Sequence, residues 1–494
     1  MSKISLKKAP TITTGAKIAY GAGEMGYSVI VTTISGFMMF FGTVVCSVSG
    51  SLMGLAISLA TVWDALTDPV MGYLSDRHNS KLMGRRHGFI LAAIFGMSIV
   101  NVMIWSVPID ASSGVKFIWF LMCMILINTF NTFYATPNSA LGVELSGDYY
   151  ERISIQSVKS VFFLIGSLLP TVTMAVLQSG EGARYMPESY RTMSYIASSI
   201  MLICGTICFL GSYSQIPRLK AKAAKDNVKK RSFKSIFSNF FLTLKVPIYR
   251  NLILGYSVTM MSSVFLTSAG LHVLTYTFKL ESMSMYLLMA GLFLMTILSQ
   301  PLWIFLVKKF DKRFSILAGM GTTLAGILYL GAIFVMRNNF SAAAMPYVIL
   351  PALFAAGAGM GAIYALPTSM IGDAAAAEKA KTHEEKTGTY TGFMTLANKI
   401  GQAAASLFVG VMLDVIGFQE GAKEQTASVE WGLGWIVIIG LVLTLVGGMI
   451  LYSRYNLKKS DIPDTDEVLV ETVAREKIAN KSRIVIGDDD NDDL

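Results

Sequence analysis

Asp64 and Asp68 stand four residues apart in Trp63-Asp64-Ala65-Leu66-Thr67-Asp68-Pro69, and no other charge lies between Val48 and Leu74. A charge at the centre of a membrane helix costs roughly 2.5–3.5 kcal/mol on insertion scales. Spacing of i, i+4 places both carboxylates on one helix face. Two carboxylates that close ionise together only when a cation or proton lies between them. The pair therefore reads as a cation site, with Na⁺ as a candidate metal at Asp64 and Asp68. Lys399 is the converse case: no other charge lies between Lys386 and Asp414, so it sits about 20 Å from either along a helix. That is too deep to snorkel, and it calls for an anionic partner or a substrate. Lys159 follows Arg152 by seven residues, and Glu24 follows Lys17 by seven, so both lie nearer a span end. Span four carries Asn128, Thr129, Asn131 and Thr132, then Thr136-Pro137-Asn138. A polar helix with a proline break suits a cavity wall, and Thr132 offers the oxygen that a hard cation prefers.

These residues are set in an all-α membrane protein. The 494 residues are 53% hydrophobic and 15% charged, against about 25% charged in soluble domains. Twelve apolar runs reach the roughly 20 residues that a span needs: 18–43, 49–74, 89–108, 116–142, 155–178, 193–213, 248–275, 284–307, 314–336, 345–371, 388–414 and 431–453. An even count puts both termini on one side. The basic loops hold Arg77, Lys81, Arg85 and Arg86, then Lys308, Lys309, Lys312 and Arg313, and eight Lys or Arg lie between 218 and 234. By the positive-inside rule that side is cytoplasmic. The +9 net charge is thus a topology signal, and nucleic acid is excluded as a partner. No cleavable leader is read; the first span acts as its own signal.

The expected organisation is an N-terminal six-helix bundle (1–213), a basic cytoplasmic linker (214–247), a C-terminal six-helix bundle (248–455) and a polar, acidic cytoplasmic tail (456–494). Residues 232–242 suit an amphipathic surface helix or a docked linker. Thr67-Asp68-Pro69 and Ser299-Gln300-Pro301 occupy matching places before the basic loops of the two halves. Parallel six-helix repeats mark the major facilitator fold, with a midplane site between halves. Gln300 opposite Asp68 leaves the cation chemistry to the first half. No nucleophile–base, Walker or zinc spacing is present, so no enzyme activity and no cofactor is expected.

Trp63-Asp64-Ala65-Leu66-Thr67-Asp68-Pro69-Val70-Met71-Gly72, with Ser75-Asp76-Arg77 and Gly84-Arg85-Arg86 after it, resembles the glycoside–pentoside–hexuronide:cation symporters, the family of the melibiose carrier. Tyr20-Gly21-Ala22-Gly23-Glu24-Met25-Gly26, Ala135-Thr136-Pro137-Asn138-Ser139-Ala140-Leu141 and Thr395-Leu396-Ala397-Asn398-Lys399-Ile400-Gly401 resemble its motifs in spans one, four and eleven. The resemblance covers about residues 15–455. It implies alternating-access symport with Na⁺, Li⁺ or H⁺ as coupling ion. It places the cation at Asp64, Thr67, Asp68 and Thr132, and a substrate near Glu24, Ser28, Asn131, Lys159, Tyr364, Thr395 and Lys399. It makes Asp76, Arg77, Arg85 and Arg86 part of a cytoplasmic latch. Where the melibiose carrier holds sugar with two carboxylates and a tryptophan, this chain has Ser28, Ala135 and Ser139. Fewer acids beside Lys159 and Lys399 suit an acidic sugar such as a hexuronide. The alternatives are a carrier of a non-sugar solute such as a lysolipid, or a non-transporting sensor. The expected setting is a bacterial inner membrane, as a monomer among lipids, with a small-molecule substrate and a coupling cation as partners.

Overall fold

The computed structural model describes residues 12–457 apart from 79, 81, 147–148, 181, 217–242 and 383–386. The suggested surface helix at 232–242 and the acidic tail lie outside the described residues. Among the described residues thirteen α-helices make twelve spans: α1 (Thr14–Phe40), α2 (Gly50–Arg77), α3 (His87–Trp105), α4 (Ser113–Glu144), α5 (Tyr149–Leu177), α6 (Pro187–Tyr213), α7 (Pro247–His272), α8 (Ser282–Leu298) continued by α9 (Gln300–Lys309), α10 (Lys312–Val335), α11 (Met345–Thr382), α12 (Thr387–Val415) and α13 (Ala427–Ser453). Local sequence sets several starts. Thr13 and Ser49 accept the Ala16 and Leu52 N–H groups at the heads of α1 and α2, and Pro187 and Pro247 open α6 and α7, where a proline lacks only a donor that would be unbonded anyway. Span six therefore begins six residues before the apolar run that predicted it.

The two halves repeat in detail. α1 runs into a π-helical turn at Phe41–Val45, and α7 into one at Val273–Thr277, 232 residues later. Ser47 and Lys279, the same interval apart, both take positive φ, 54° and 51°. Asp68 and Gln300 share that interval. The sequence-level match between spans two and eight is thus one register that also holds for spans one and seven.

The bundles join at the end of the membrane away from the termini. There Thr43 Oγ1 meets His272 Nε2 at 2.8 Å, Tyr286 donates to Gln178 Oε1 at 2.6 Å, Arg184 donates to the Leu280 carbonyl at 2.9 Å, and the Gly421 N–H reaches the Thr43 carbonyl at 3.1 Å. α2 and α12 touch backbone to backbone: a Cβ on Gly410 would lie 2.2 Å from the Gly50 carbonyl oxygen. Small residues permit such approach. At the terminal end three ion pairs each stay within one bundle: Arg86–Glu144 at 2.8 Å and Lys17–Glu151 at 3.5 Å in the first, Lys312–Asp373 at 2.5 Å in the second. Leu66, Val70, Tyr73 and Leu74 of α2 are exposed towards that end. The halves are closed at the far end and parted at the terminal end.

Candidate functional site

Asp64 and Asp68 sit mid-way along α2, one turn apart, with Pro69 beside them. A proline has no N–H, so the Ala65 carbonyl loses its helical donor and the local backbone stays polar. α4 packs alongside and presents Thr132, 1% exposed. Its Oγ1 lies 2.9 Å from Asp64 Oδ1 and 3.1 Å from Asp68 Oδ1. Thr67 Oγ1 is 3.4 Å from Thr132 Oγ1 and 3.2 Å from the Asp64 carbonyl. The four residues expected at a cation site are therefore brought together.

Protons are short in this cluster. A hydroxyl carries one donor, and Thr132 faces two carboxylate oxygens. One of those contacts needs another positive centre.

Lys399 supplies one, from the other bundle. Its Nζ lies 2.7 Å from Asp64 Oδ2 and 2.5 Å from Asp68 Oδ2. The lysine side chain is 16% exposed and Asp64 10%. A lysine expected among the substrate contacts thus sits on the carboxylate pair, at the distances of charge-assisted hydrogen bonds.

A second ion pair lies inside the first bundle. Glu24 on α1, 4% exposed, accepts from Asn138 Nδ2 at 2.8 Å and faces Lys159 Nζ of α5 at 3.1 Å. Lys159 also donates to Ser139 Oγ at 3.3 Å. Glu24 and Lys159 thus meet each other, and two of the motifs in spans one and four converge.

The remaining substrate expectations scatter. Ser28 is fully buried, donates to the Met25 carbonyl at 3.1 Å, and packs where a Cβ on Gly166 would come within 2.0 Å of it. It faces α5, because the glycine leaves it room there. Tyr364 is 45% exposed, and Thr395 bonds its own helix at Thr391 O, 3.1 Å. Asn131 lines a cavity, with its Oδ1 buried and without a hydrogen-bond partner. Of the latch residues, Arg86 donates to Ser75 Oγ at 2.7 Å and Glu144 Oε1 at 2.8 Å, and Arg77 stacks over Tyr73 at 4.0 Å. Arg85 is half-buried in the turn before α3, and the Asp76 side chain lies outside the described residues. The arginine contacts that are resolved tie α2, α3 and α4 of one bundle.

The cavity, about 220 Å³, spans from the Asp64–Lys399 pair towards the far-end closure. α1, α2, α3 and α4 wall one side, α7 and α12 the other. Just beyond it, His272 lies fully buried between the rings of Phe40 (5.1 Å) and Phe418 (5.4 Å). Sequence reading passed over this residue; its only signal was a lone histidine at the end of an apolar span.

The family model described as "MFS/sugar transport protein" matches residues 19–459. The chain belongs to this family. The chain is also similar to named symporters. The mouse sodium-dependent lysophosphatidylcholine symporter 1 is 22% identical over 481 residues, covering 91% of this chain and 86% of that one. The inner membrane symporter YicJ of Escherichia coli is 28% identical over 209 residues, 42% of this chain and 45% of that one. Among solved structures, a bacterial homologue of the human lysosomal transporter Spinster, inward-facing and unoccupied, superposes with a TM-score of 0.63 at 16% identity, over 91% of this chain and 98% of that one. The fold is that of the major facilitators, two six-helix bundles in a multi-pass membrane protein.

Proposed function

We propose that this protein is a cation-coupled symporter that carries a sugar or glycoside by alternating access. The observation that carries the reading is the Lys399 ammonium of one bundle seated between the Asp64 and Asp68 carboxylates of the other. Asp64, Thr67, Asp68 and Thr132 then hold the coupling ion, Na⁺ in the first place, and the two sodium-dependent features agree: hard oxygen donors and relatives named as sodium-dependent symporters. Lys399 competes with the ion for the same carboxylate oxygens. An arriving cation displaces it, and the freed ammonium turns towards the cavity. Solute and ion thereby favour one another, and by linkage each tightens the other's binding equally.

Basic residues put the terminal end in the cytoplasm, so the state with parted terminal ends is inward-facing. Residues 1–213 and 248–455 are the two rocking bodies, joined by 214–247, in a bacterial inner membrane. Each chain carries both halves of the site, so a monomer suffices.

Charge narrows the solute. Glu24, Asp64 and Asp68 face Lys159 and Lys399, three carboxylates to two ammonium groups. One bound cation brings the five to zero. Lys159 is already paired with Glu24, and the balance of zero with one cation bound favours an uncharged sugar over an acidic hexuronide. A zwitterionic amphiphile is the second reading. It draws on the methionine and isoleucine part of the cavity wall and on the relatives named for lysophosphatidylcholine.

Uptake into proteoliposomes under an inward Na⁺ gradient, with choline replacing Na⁺ in the control, tests the proposal. Accumulation that needs Na⁺ and disappears in Asp64→Asn and Asp68→Asn is expected. Wild-type accumulation in either variant refutes the ion site; accumulation in choline driven by a pH gradient assigns the site to H⁺.

A further inference from the structure

We propose that Asp414 is a clasp between the bundles: its carboxylate seats on the N-terminus of α2, holds the far end shut, and so sets how readily the carrier opens to the outside for its ion. The consequence for the ion rests on the symporter reading; the clasp itself does not.

The carboxylate belongs to the second bundle, one residue before the end of α12. Its Oδ2 accepts the Ser51 N–H, in the first turn of α2, at 3.0 Å. The first N–H groups of a helix have no partner within it, and that end carries partial positive charge. Among the described residues no Lys, Arg or His pairs with Asp414. The end of α2 is thus its counter-charge, supplied by the opposite bundle. The approach is close. A Cβ on Gly50 would lie 2.9 Å from Asp414 Oδ1 and 2.5 Å from the Gly410 carbonyl oxygen, so glycine at 50 is what admits the carboxylate. Oδ1 is buried there with no further donor. The clasp therefore holds through one hydrogen bond and a helix dipole, a strength that also lets it release.

Register ties the clasp to the ion site. α2 leaves the far end and α12 returns to it, so the two run antiparallel. From Ser51, Asp64 and Asp68 lie 13 and 17 residues along α2; from Asp414, Lys399 lies 15 residues back along α12. One pair of helices thus carries two contacts of opposite polarity, about 22 Å apart. An ion displaces the inner one, Lys399 on Asp64 and Asp68, and does not touch the outer one. Any effect of Asp414 on ion binding then passes through the populations of the two states. The repeat shows the clasp to be one-sided. The residues 232 positions from Ser51 and Asp414 are Met283 and Gly182, and the α5–α8 seam is joined instead by the neutral Tyr286–Gln178 hydrogen bond.

The test reads opening from outside. Ser35 lines the cavity, and an impermeant thiol reagent added outside right-side-out vesicles reaches Ser35→Cys only when the far end parts. Without Na⁺ or solute, Asp414→Ala should raise the labelling rate about fivefold to tenfold, the size of a lost helix cap. Asp414→Asn keeps an acceptor and loses the charge, so its rate should fall between. The same variants with Ser35 intact should stay unlabelled, because the four native cysteines are buried; this control reports the fold, and where alanine fails it the asparagine arm decides. The external Na⁺ concentration for half-maximal uptake should fall by a like factor, since more carrier faces outward, whereas the internal Na⁺ requirement for efflux should not fall. Unchanged labelling in the folded variants overturns the clasp. So does weaker Na⁺ dependence from both sides, the mark of a merely structural residue. Faster labelling with the external Na⁺ requirement unchanged keeps the clasp and refutes the ion coupling instead.

Discussion

Replacing Lys399 by alanine should make the protein bind Na⁺ more tightly. The lysine sits on the carboxylate oxygens that would hold the ion. Its ammonium makes two contacts, 2.7 Å to Asp64 and 2.5 Å to Asp68, and Na⁺ must displace it to reach the same oxygens. Hydrogen bonds to charged groups contribute about 1.5–3 kcal/mol each. The displaced ammonium regains water or solute contacts, so a net competition worth about one such bond remains. At 1.4 kcal/mol per factor of ten, that corresponds to an affinity gain of about 10- to 100-fold. Without Na⁺ the variant should be less stable, because two carboxylates are left facing each other; breaking a buried ion pair costs about 3–5 kcal/mol. Na⁺ should restore that loss. Calorimetric titration of Na⁺ and melting curves over a Na⁺ series measure both quantities on purified protein. Net uptake should collapse, since nothing then refills the site when the empty carrier returns. Na⁺ affinity equal to or weaker than wild type refutes the idea of a tethered competitor and leaves Lys399 a structural pin.

Thr132→Val should weaken Na⁺ binding about tenfold with little effect on the fold, since one oxygen is lost and volume is kept; the same titration reads it. His272→Ala should loosen the far-end closure: Ser35→Cys in the cavity wall should react faster with an impermeant thiol reagent applied from outside, over a background of four buried native cysteines. An unchanged rate counts against the Thr43–His272 contact as a latch. Glu151, outside the spans, accepts from Ser146 Oγ at 2.6 Å and from the Ile12 N–H at 2.7 Å, and faces Lys17. These partners, Ser146 first, hold its carboxyl below the usual glutamate value. A depressed folded-state value gives stability that is present above the unfolded value and is lost as pH falls through the folded one. Amide hydrogen exchange at Ile12, corrected for its intrinsic pH dependence, should therefore accelerate in acid, below about pH 4, and Glu151→Gln should lose that dependence.

The spans were legible because a run of some 20 apolar residues has few other readings, and the carboxylate pair because its cost in a membrane demands a use. Asp64, Thr67, Asp68 and Thr132 met as the motif implied. What the sequence withheld was pairing across bundles. Lys399 lies 331 residues from Asp68, and nothing local says whether it faces a solute or a carboxylate. Lys159 and Glu24 stand 135 residues apart, so nothing local announces that they neutralise one another, and the charge balance stays hidden with them. Ser28 shows how a neighbour redirects a side chain: Gly166 opens a niche on α5 and the serine turns into it. The π-helical turns were equally hidden, since one extra residue in a turn leaves the apolar pattern intact.

The repeat explains why the two halves divide the labour as they do. Gln300, the counterpart of Asp68, donates to Gly361 O at 3.1 Å and Thr296 O at 3.3 Å, staying inside its own bundle on the neighbouring helix α11. Asp68 keeps the equivalent tie, to Thr132 on α4. An acid at that position does one thing more than an amide. Its second oxygen attracts a cation across the interface, and Lys399 of α12 provides it. The same position that fastens two helices in one half fastens two bundles in the other. A contact between bundles that a small ion is able to break is the minimum that coupling requires, because the ion then has different free energies in the joined and parted states. Gln300→Asp should therefore not create a second ion site. The residue 232 positions after Asp64 is Thr296, so a lone new acid has no second carboxylate beside it, and a Na⁺ titration of that variant should still report one site.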